Sequence, residues 1–252
     1  MIKIGTAGIP KVSKNSFEAI DWLYEHELDA MEVEFVHGVN MSLDMAKKLG
    51  EKAEGKISLS VHAPYYINLC NPEKVEASMK RILDSAKRAE LLKANVVVIH
   101  SGFYGKLEKG ECYNMVLDAF EKMTKKTSVN LGLELMGKLS QFGTLDEIIK
   151  ISKEVDGCVP VIDFAHAYAR NLGKIDYELI LRKMKSFKHI HAHFSGIRYG
   201  QRGEINHEPI GHPSFKELAK LLKKKKTDIT LICESPLLEK DALKMKNILN
   251  HI

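Results

Sequence analysis

The sequence predicts a closed (β/α)₈ barrel, a TIM barrel, built from one domain spanning residues 1–252. Three observations carry that prediction. Eight short, apolar, β-rich runs recur along the chain, helix-length segments lie between them, and about 250 residues is the length such a barrel needs. The strand candidates read as near-continuous apolar runs, the signature of a parallel sheet covered on both faces. A doubly wound open sheet is the other arrangement that β-then-α alternation permits.

The first run, "IKIGTAG" (2–8), is followed by "GTAGIPK", which lacks the G-x-G-x-x-G spacing and so carries no dinucleotide fingerprint. "FEAIDWLYEH" then shows apolar residues three and four apart and leads into the second run, "AMEVEFV" (30–36). The third and fourth runs, "SLSVHAPY" (58–65) and "NVVVIHSG" (95–102), flank the long helical segment "PEKVEASMKRILDSAKRAELL". "YNMVLDAFEKMTKK" precedes "NLGLELMG" (130–137), and "LDEIIKISKEV" precedes "VPVIDFAHA" (159–167). "YELILRKMK" leads to "HIHAHFSG" (189–196), and "SFKELAKLLKK" to "TLICESP" (230–236). The run Lys223 to Lys226 falls at the end of that last helix, where lysines form a solvated helix terminus.

Composition narrows the class further. With 44% hydrophobic residues the chain can bury a sizeable core, and a formal charge of +5 is far from the basic tails of dedicated nucleic-acid binders. Without a leader-like N-terminus or an apolar run near the roughly 20 residues of a membrane span, it is expected in the cytoplasm, as a monomer with no membrane association and no obligate protein partner. Cys70, Cys112, Cys158 and Cys233 are widely spaced and are expected to be reduced core residues.

Histidines and acids collect where the strands end. His62 closes the third run, His100 the fourth, Glu134 the fifth, Asp163 and His166 the sixth, His193 the seventh and Glu234 the eighth. In a (β/α)₈ barrel these ends form the catalytic face. Burying so many ionisable groups in one cavity without a counter-charge costs several kcal/mol each, and divalent cations neutralise such clusters. Imidazole and carboxylate donors without thiolate suit Zn²⁺, Mn²⁺ or Fe²⁺. The "NHEPIGH" loop (206–212) adds His207, with Glu204 and Glu208 nearby, and His212 as a loop or capping residue before the next helix. In "HIHAHFSG", where side chains alternate, His193 is the expected ligand, His191 a supporter one layer deeper, and His189 a packing or surface residue.

In this order "HAPYYINL" (62–69), "IHSG" (99–102), "LEL" (133–135), "IDFAHAY" (162–168), "HFSG" (193–196), "NHEPIG" (206–211) and "ESP" (234–236) resemble the endonuclease IV family of zinc-dependent apurinic/apyrimidinic endonucleases. The resemblance implies two to three zinc ions. His62, His100 and Glu134 would hold one; Glu134, shared with the first, together with Asp163, His193 and Glu234 would hold a second; His166 and His207 the third. It implies damaged double-stranded DNA as partner and hydrolysis of the phosphodiester 5′ to an abasic site, with Glu134 orienting the nucleophile. Tyr65 and Tyr66 would enter the duplex at the lesion, and Arg198 and Arg202, with Lys11, Lys14 and Arg170, are candidates for backbone phosphate. The chain departs from the family in three places. Glu204 lies three residues before His207 rather than two, "LMGK" follows the bridging glutamate, and the loop "VHGVNMS" (36–42) holds no Arg or Lys. The last departure keeps a second reading open, a metal-dependent sugar isomerase or epimerase of the xylose-isomerase-like barrels; a barrel that binds without catalysis is a third.

Overall fold

The computed structural model describes all 252 residues. Its strands are β1 (Ile2–Ala7), β2 (Ala30–Glu34), β3 (Ser58–His62), β4 (Val96–Ile99), β5 (Asn130–Glu134), β6 (Cys158–Asp163), β7 (Ile190–Phe194), β8 (Gly196–Gly200), β9 (Gly203–Glu208) and β10 (Ile229–Cys233). The helices are α1 (Ser16–Glu25), α2 (Leu43–Ala53), α3 (Val75–Leu91), α4 (Lys109–Thr124), α5 (Leu145–Glu154), α6 (Phe164–Arg170), α7 (Tyr177–Lys183), α8 (Phe215–Lys225) and α9 (Glu239–Asn250). Eight parallel strands close in the order β1-β10-β7-β6-β5-β4-β3-β2, which is the predicted barrel. No helix is long and apolar enough to cross a membrane.

The strands alternate more than their sequences suggest. Met31 and Val33, Leu59 and Val61, Leu131 and Leu133, and Ile190, Ala192 and Phe194 join a 61-residue apolar core between sheet and helices. The intervening Glu32, Ser60, His62, Glu134, His191 and His193 are buried on the opposite face, inside the barrel. Apolar filling there is small, a cluster of Val96, Val98 and Val161. The barrel interior is therefore reserved for polar groups, and strand register sets them side by side: Glu34 pairs with His62, and Asp163 with His193.

Several elements differ from the sequence expectation. The sixth run reads as extended to residue 167, but β6 stops at Asp163, whose side chain accepts the His166 backbone N–H at 2.7 Å and so starts α6. Helices α2, α6 and α9 escape the periodicity reading; α2 buries Ala46, Leu49, Gly50 and Ala53, a stripe in which Leu49 is the one large apolar side chain. The hairpin β8–β9 lies within what reads as loop. Ser214 caps α8, leaving His212 in the preceding loop.

The cysteine expectation is corrected for one pair. Cys70 and Cys112 form a disulfide, with Cα atoms 4.9 Å apart, while Cys158 and Cys233 are free and buried. The sequence separation of 42 hides the contact of the bonded pair, because the segment after β3 and the first turn of α4 become neighbours only once β3 pairs with β4.

Candidate metal centre

Four strands deliver donors directly: His62 ends β3, Glu134 ends β5, Asp163 ends β6, and His193 sits on β7. His100 and Glu234 follow β4 and β10 by one residue, His166 lies in the first turn of α6, and His207 is on β9. These eight residues converge. Donor atoms lie within 4.8 Å of one another in three overlapping groups: His62, His100 and Glu134; Glu134, Asp163, His193 and Glu234; Asp163, His166 and His207.

Glu134 stands at the centre of the arrangement. Its Oε2 is 2.8 Å from His100 Nε2 and 3.4 Å from His62 Nε2, and its Oε1 is 3.1 Å from His193 Nδ1 and 3.4 Å from His166 Nδ1. Asp163 divides its oxygens between two tasks, Oδ1 capping α6 and Oδ2 having no partner in the cavity. His62 Nδ1 lies 2.8 Å from the Ala63 carbonyl and His166 Nδ1 lies 3.0 Å from the Leu135 carbonyl, contacts that place a proton on each Nδ1 and free each Nε2 as a donor atom. The Nε2 atoms of His166 and His207 face each other at 3.1 Å.

Buried atoms without hydrogen-bond partners cluster here: His62 Nε2, Glu134 Oε2, Asp163 Oδ2, His193 Nε2, Glu32 Oε1 and Glu34 Oε1. Native proteins leave few such atoms unsatisfied; His193 Nε2 and Glu32 Oε1 face each other below the donors at 2.9 Å, and the concentration of the others around one cavity fits divalent cations. The donor chemistry agrees, with imidazole and carboxylate and no thiolate. Electrostatics point the same way. Burial opposes charge on His62, yet Glu134 and Glu34 draw its imidazole up to about 10, and burial pushes the carboxyls of Glu34 and Glu234 up to about 8. Burial likewise disfavours the charged forms of His193 and His166, but the surrounding carboxylates hold both well above the usual range. The cavity demands positive charge.

Glu204 is recovered by a bulge. On a regular strand residues 204 and 207 would face opposite ways. In β8–β9 Arg198 pairs with Asn206 and Tyr199 with Glu204, so Ile205 is skipped and Glu204 returns to the face of His207. Its Oε2 lies 3.5 Å from His166 Nε2. The absence of a side chain at Gly137 makes room, since a Cβ there would meet Glu204 Cβ at 2.7 Å.

Above the donors a cavity of about 700 Å³ opens on the C-terminal face, walled by Tyr65, Phe103, Lys138, Gln141 and Glu34. Tyr65 stacks on His100 with ring centroids 5.3 Å apart, whereas Tyr66 is 66% exposed outside the wall. Lys138 is the one lysine or arginine lining the cavity. Arg198 and Arg202 are exposed on the hairpin, with Arg198 Nε donating to Asn206 Oδ1. Arg170 is not available to phosphate: its guanidinium donates to the carbonyls of Met136, Lys138 and Gln141 at 2.7–3.2 Å. Lys11 donates to the Pro236 carbonyl, and Lys14 is simply exposed. Sequence reasoning missed Glu32, Glu34, Phe103 and Lys138; the period-2 spacing of the two β2 acids was the available signal for the first pair.

The sequence model of the xylose isomerase-like TIM barrel family matches residues 20–249. The chain belongs to that family. Within the xylose isomerase-like TIM barrels it is 40% identical, along its whole length and 98% of the other protein, to an uncharacterized protein of Methanocaldococcus jannaschii. A probable endonuclease 4 of Mycoplasmopsis synoviae is 29% identical over 70% of this chain and 68% of that one. Among solved structures, a D-tagatose 3-epimerase-like protein superposes with a TM-score of 0.73 at 23% identity, covering 97% and 96% of the two chains. Endonuclease IV from Thermus thermophilus gives 0.71 at 17% identity, covering 98% and 97%. At those identities the two superpositions show the fold alone.

Proposed function

We propose that this xylose isomerase-like TIM barrel is a metal-dependent endonuclease that hydrolyses the phosphodiester 5′ to abasic sites in DNA. The observation that carries the reading is the pair of donor groups flanking the central one. A site for one ion needs only Glu134, Asp163, His193 and Glu234, yet His62 and His100 on one side, and His166 and His207 on the other, extend it to three. Two to three Zn²⁺ would be held by His62, His100 and Glu134, by Glu134, Asp163, His193 and Glu234, and by His166, His207 and Glu204. When bound, such ions supply Lewis acidity, a lowered water pKa and neutralisation of charge at phosphorus.

The chain's own residues supply the rest. Glu134 spans the first two groups, so its carboxylate orients the attacking water between them. Lys138, on a loop held by Arg170, meets the phosphate with positive charge. An abasic sugar enters the cavity without a base to unstack, and Tyr65 on the rim closes the cavity to bulk water while Tyr66 outside it fills the gap left in the base stack. Metal analysis of the purified protein together with nicking of a duplex holding one tetrahydrofuran lesion tests the proposal; three donor groups predict two to three ions and a nick 5′ to the lesion.

One observation favours a second reading, a sugar isomerase or epimerase. The central group of four donors is sufficient for one ion, and the 700 Å³ cavity beside it has Lys138 as its one lysine or arginine, suited to a neutral polyol. A single bound ion, no nicking, and turnover of a keto-sugar would select it.

A further inference from the structure

Beneath the donor layer lies a fully buried carboxylate outside those three groups, one of a fourth set of donors with His191 and His193 whose donor atoms lie within 4.8 Å of one another. Glu32 is on β2, inside the barrel, and is 0% exposed. Its Oε2 accepts hydrogen bonds from Ser60 Oγ at 2.7 Å and from His191 Nε2 at 2.9 Å. Its Oε1 is 2.9 Å from His193 Nε2, with the ring N–H off the line of centres, and neither of those two atoms has another polar partner. The opposite nitrogen of the same ring, His193 Nδ1, faces upward to Glu134 Oε1 at 3.1 Å and Glu234 Oε1 at 3.3 Å.

We infer that Glu32 is a positioning residue that fixes His193 as an Nδ1 donor to the central ion. A strand histidine can present either nitrogen, and the group that engages the other nitrogen decides which. Glu32 is an acceptor-only carboxylate, so it keeps the proton on Nε2 and leaves the Nδ1 lone pair for the group of Glu134, Asp163 and Glu234. Its negative charge, buried without any lysine or arginine, also strengthens the imidazole as a donor. Ser60 and His191 hold Glu32 in turn, which gives His191, of the three alternating histidines, its role. Glu32, Ser60, His191 and His193 are each at most 5% exposed, so packing as well as hydrogen bonding sets the geometry.

The inference rests on the metal reading and is tested apart from it. In zinc-loaded, ¹⁵N-labelled wild-type protein, long-range imidazole ¹H–¹⁵N spectra should show His193 protonated at Nε2 and zinc-bound at Nδ1. In Glu32→Gln, chelator competition should show zinc affinity at the central group lower by about 10- to 100-fold, the usual effect of losing a group that orients a ligand. The other zinc equivalents should keep their affinity. Wild-type protein that binds zinc through Nε2 of His193, or an E32Q protein with wild-type affinity, overturns the inference and leaves the metal reading standing. Wild-type protein that binds no zinc overturns both. If E32Q does not fold, the wild-type nitrogen assignment still decides the matter. A zinc equivalent beyond three, lost in E32Q, would make Glu32 a ligand and refute the positioning role.

Discussion

Gly137→Ala should weaken binding of the third ion and spare the other two. A Cβ at this position would lie 2.7 Å from Glu204 Cβ, 2.8 Å from Glu204 Oε2 and 3.0 Å from His166 Cδ2. Unstrained carbon contacts begin at about 3.5 Å, so Glu204 must retreat by about 0.8 Å. Metal ligands tolerate only about 0.2 Å. Backing away is hard, because the Glu204 backbone N–H donates to the Gly137 carbonyl at 3.2 Å and travels with it. The third ion should therefore bind about 10- to 100-fold more weakly, comparable to loss of a supporting group. Overpacking should also cost about 1–3 kcal/mol, and at about 2–4 °C per kcal/mol in a chain of this size the metal-free Tm should fall by several degrees. Atomic absorption after dialysis against a buffered zinc series measures the stoichiometry, and differential scanning calorimetry the stability. Full zinc content at wild-type affinity would refute the assignment of Glu204 and His166 to one ion.

Three further predictions concern charge and sulfur. Glu134→Gln should abolish nicking and lower the metal content of the first two groups with the fold retained by circular dichroism; unchanged nicking would sink the proposed mechanism. Above pH 6.5 the metal-free protein should lose stability. Glu34 and Glu234 are raised from 4.5 to about 8 and His62 from 6.5 to about 10, so the folded state holds protons that the unfolded chain has released, and that stabilisation is lost between pH 4.5 and 8 for the two carboxyls and between 6.5 and 10 for His62. His100, His191 and His207, lowered by burial, oppose the trend only until the unfolded imidazoles have lost their protons, about one pH unit above 6.5, and are neutral in both states beyond that. A thermal melt series of metal-free protein checks this, and zinc should reverse the trend because its ligands must be deprotonated; a flat or rising metal-free profile contradicts it. For sulfur, burial pushes the Cys158 and Cys233 thiols up to about 12, so Ellman's reagent at pH 8 should find no thiol in native protein, two after unfolding, and four after unfolding with reduction. Four thiols without reductant would exclude the Cys70–Cys112 bond. Its 42-residue loop is worth about 4 kcal/mol by chain entropy.

The barrel was legible because β/α alternation and strand spacing are local signals. Seven of the eight candidate donors were legible because each falls at or just past the end of a barrel strand, and closure of the barrel brings those ends together; His207, on the β8–β9 hairpin, was legible from the loop motif after the seventh strand. What escaped reading depends on contacts between distant segments. Glu204 looked misplaced because only the pairing of β8 with β9 reveals that Ile205 is skipped. Arg170 looked free because the carbonyls it binds come from the loop after β5, some thirty residues earlier. Glu32 looked like an ordinary strand acid, since its partners Ser60 and His191 arrive from β3 and β7. The Cys70–Cys112 bond was hidden for the same reason.

The central claim is that the donors hold several ions for phosphodiester hydrolysis. Metal content and nicking of a tetrahydrofuran-containing duplex, measured on one preparation before and after chelation, test it most directly. The account predicts two to three zinc ions per chain, incision 5′ to the lesion, loss of both on chelation and recovery on zinc addition. One ion per chain, no incision and turnover of a keto-sugar would contradict it.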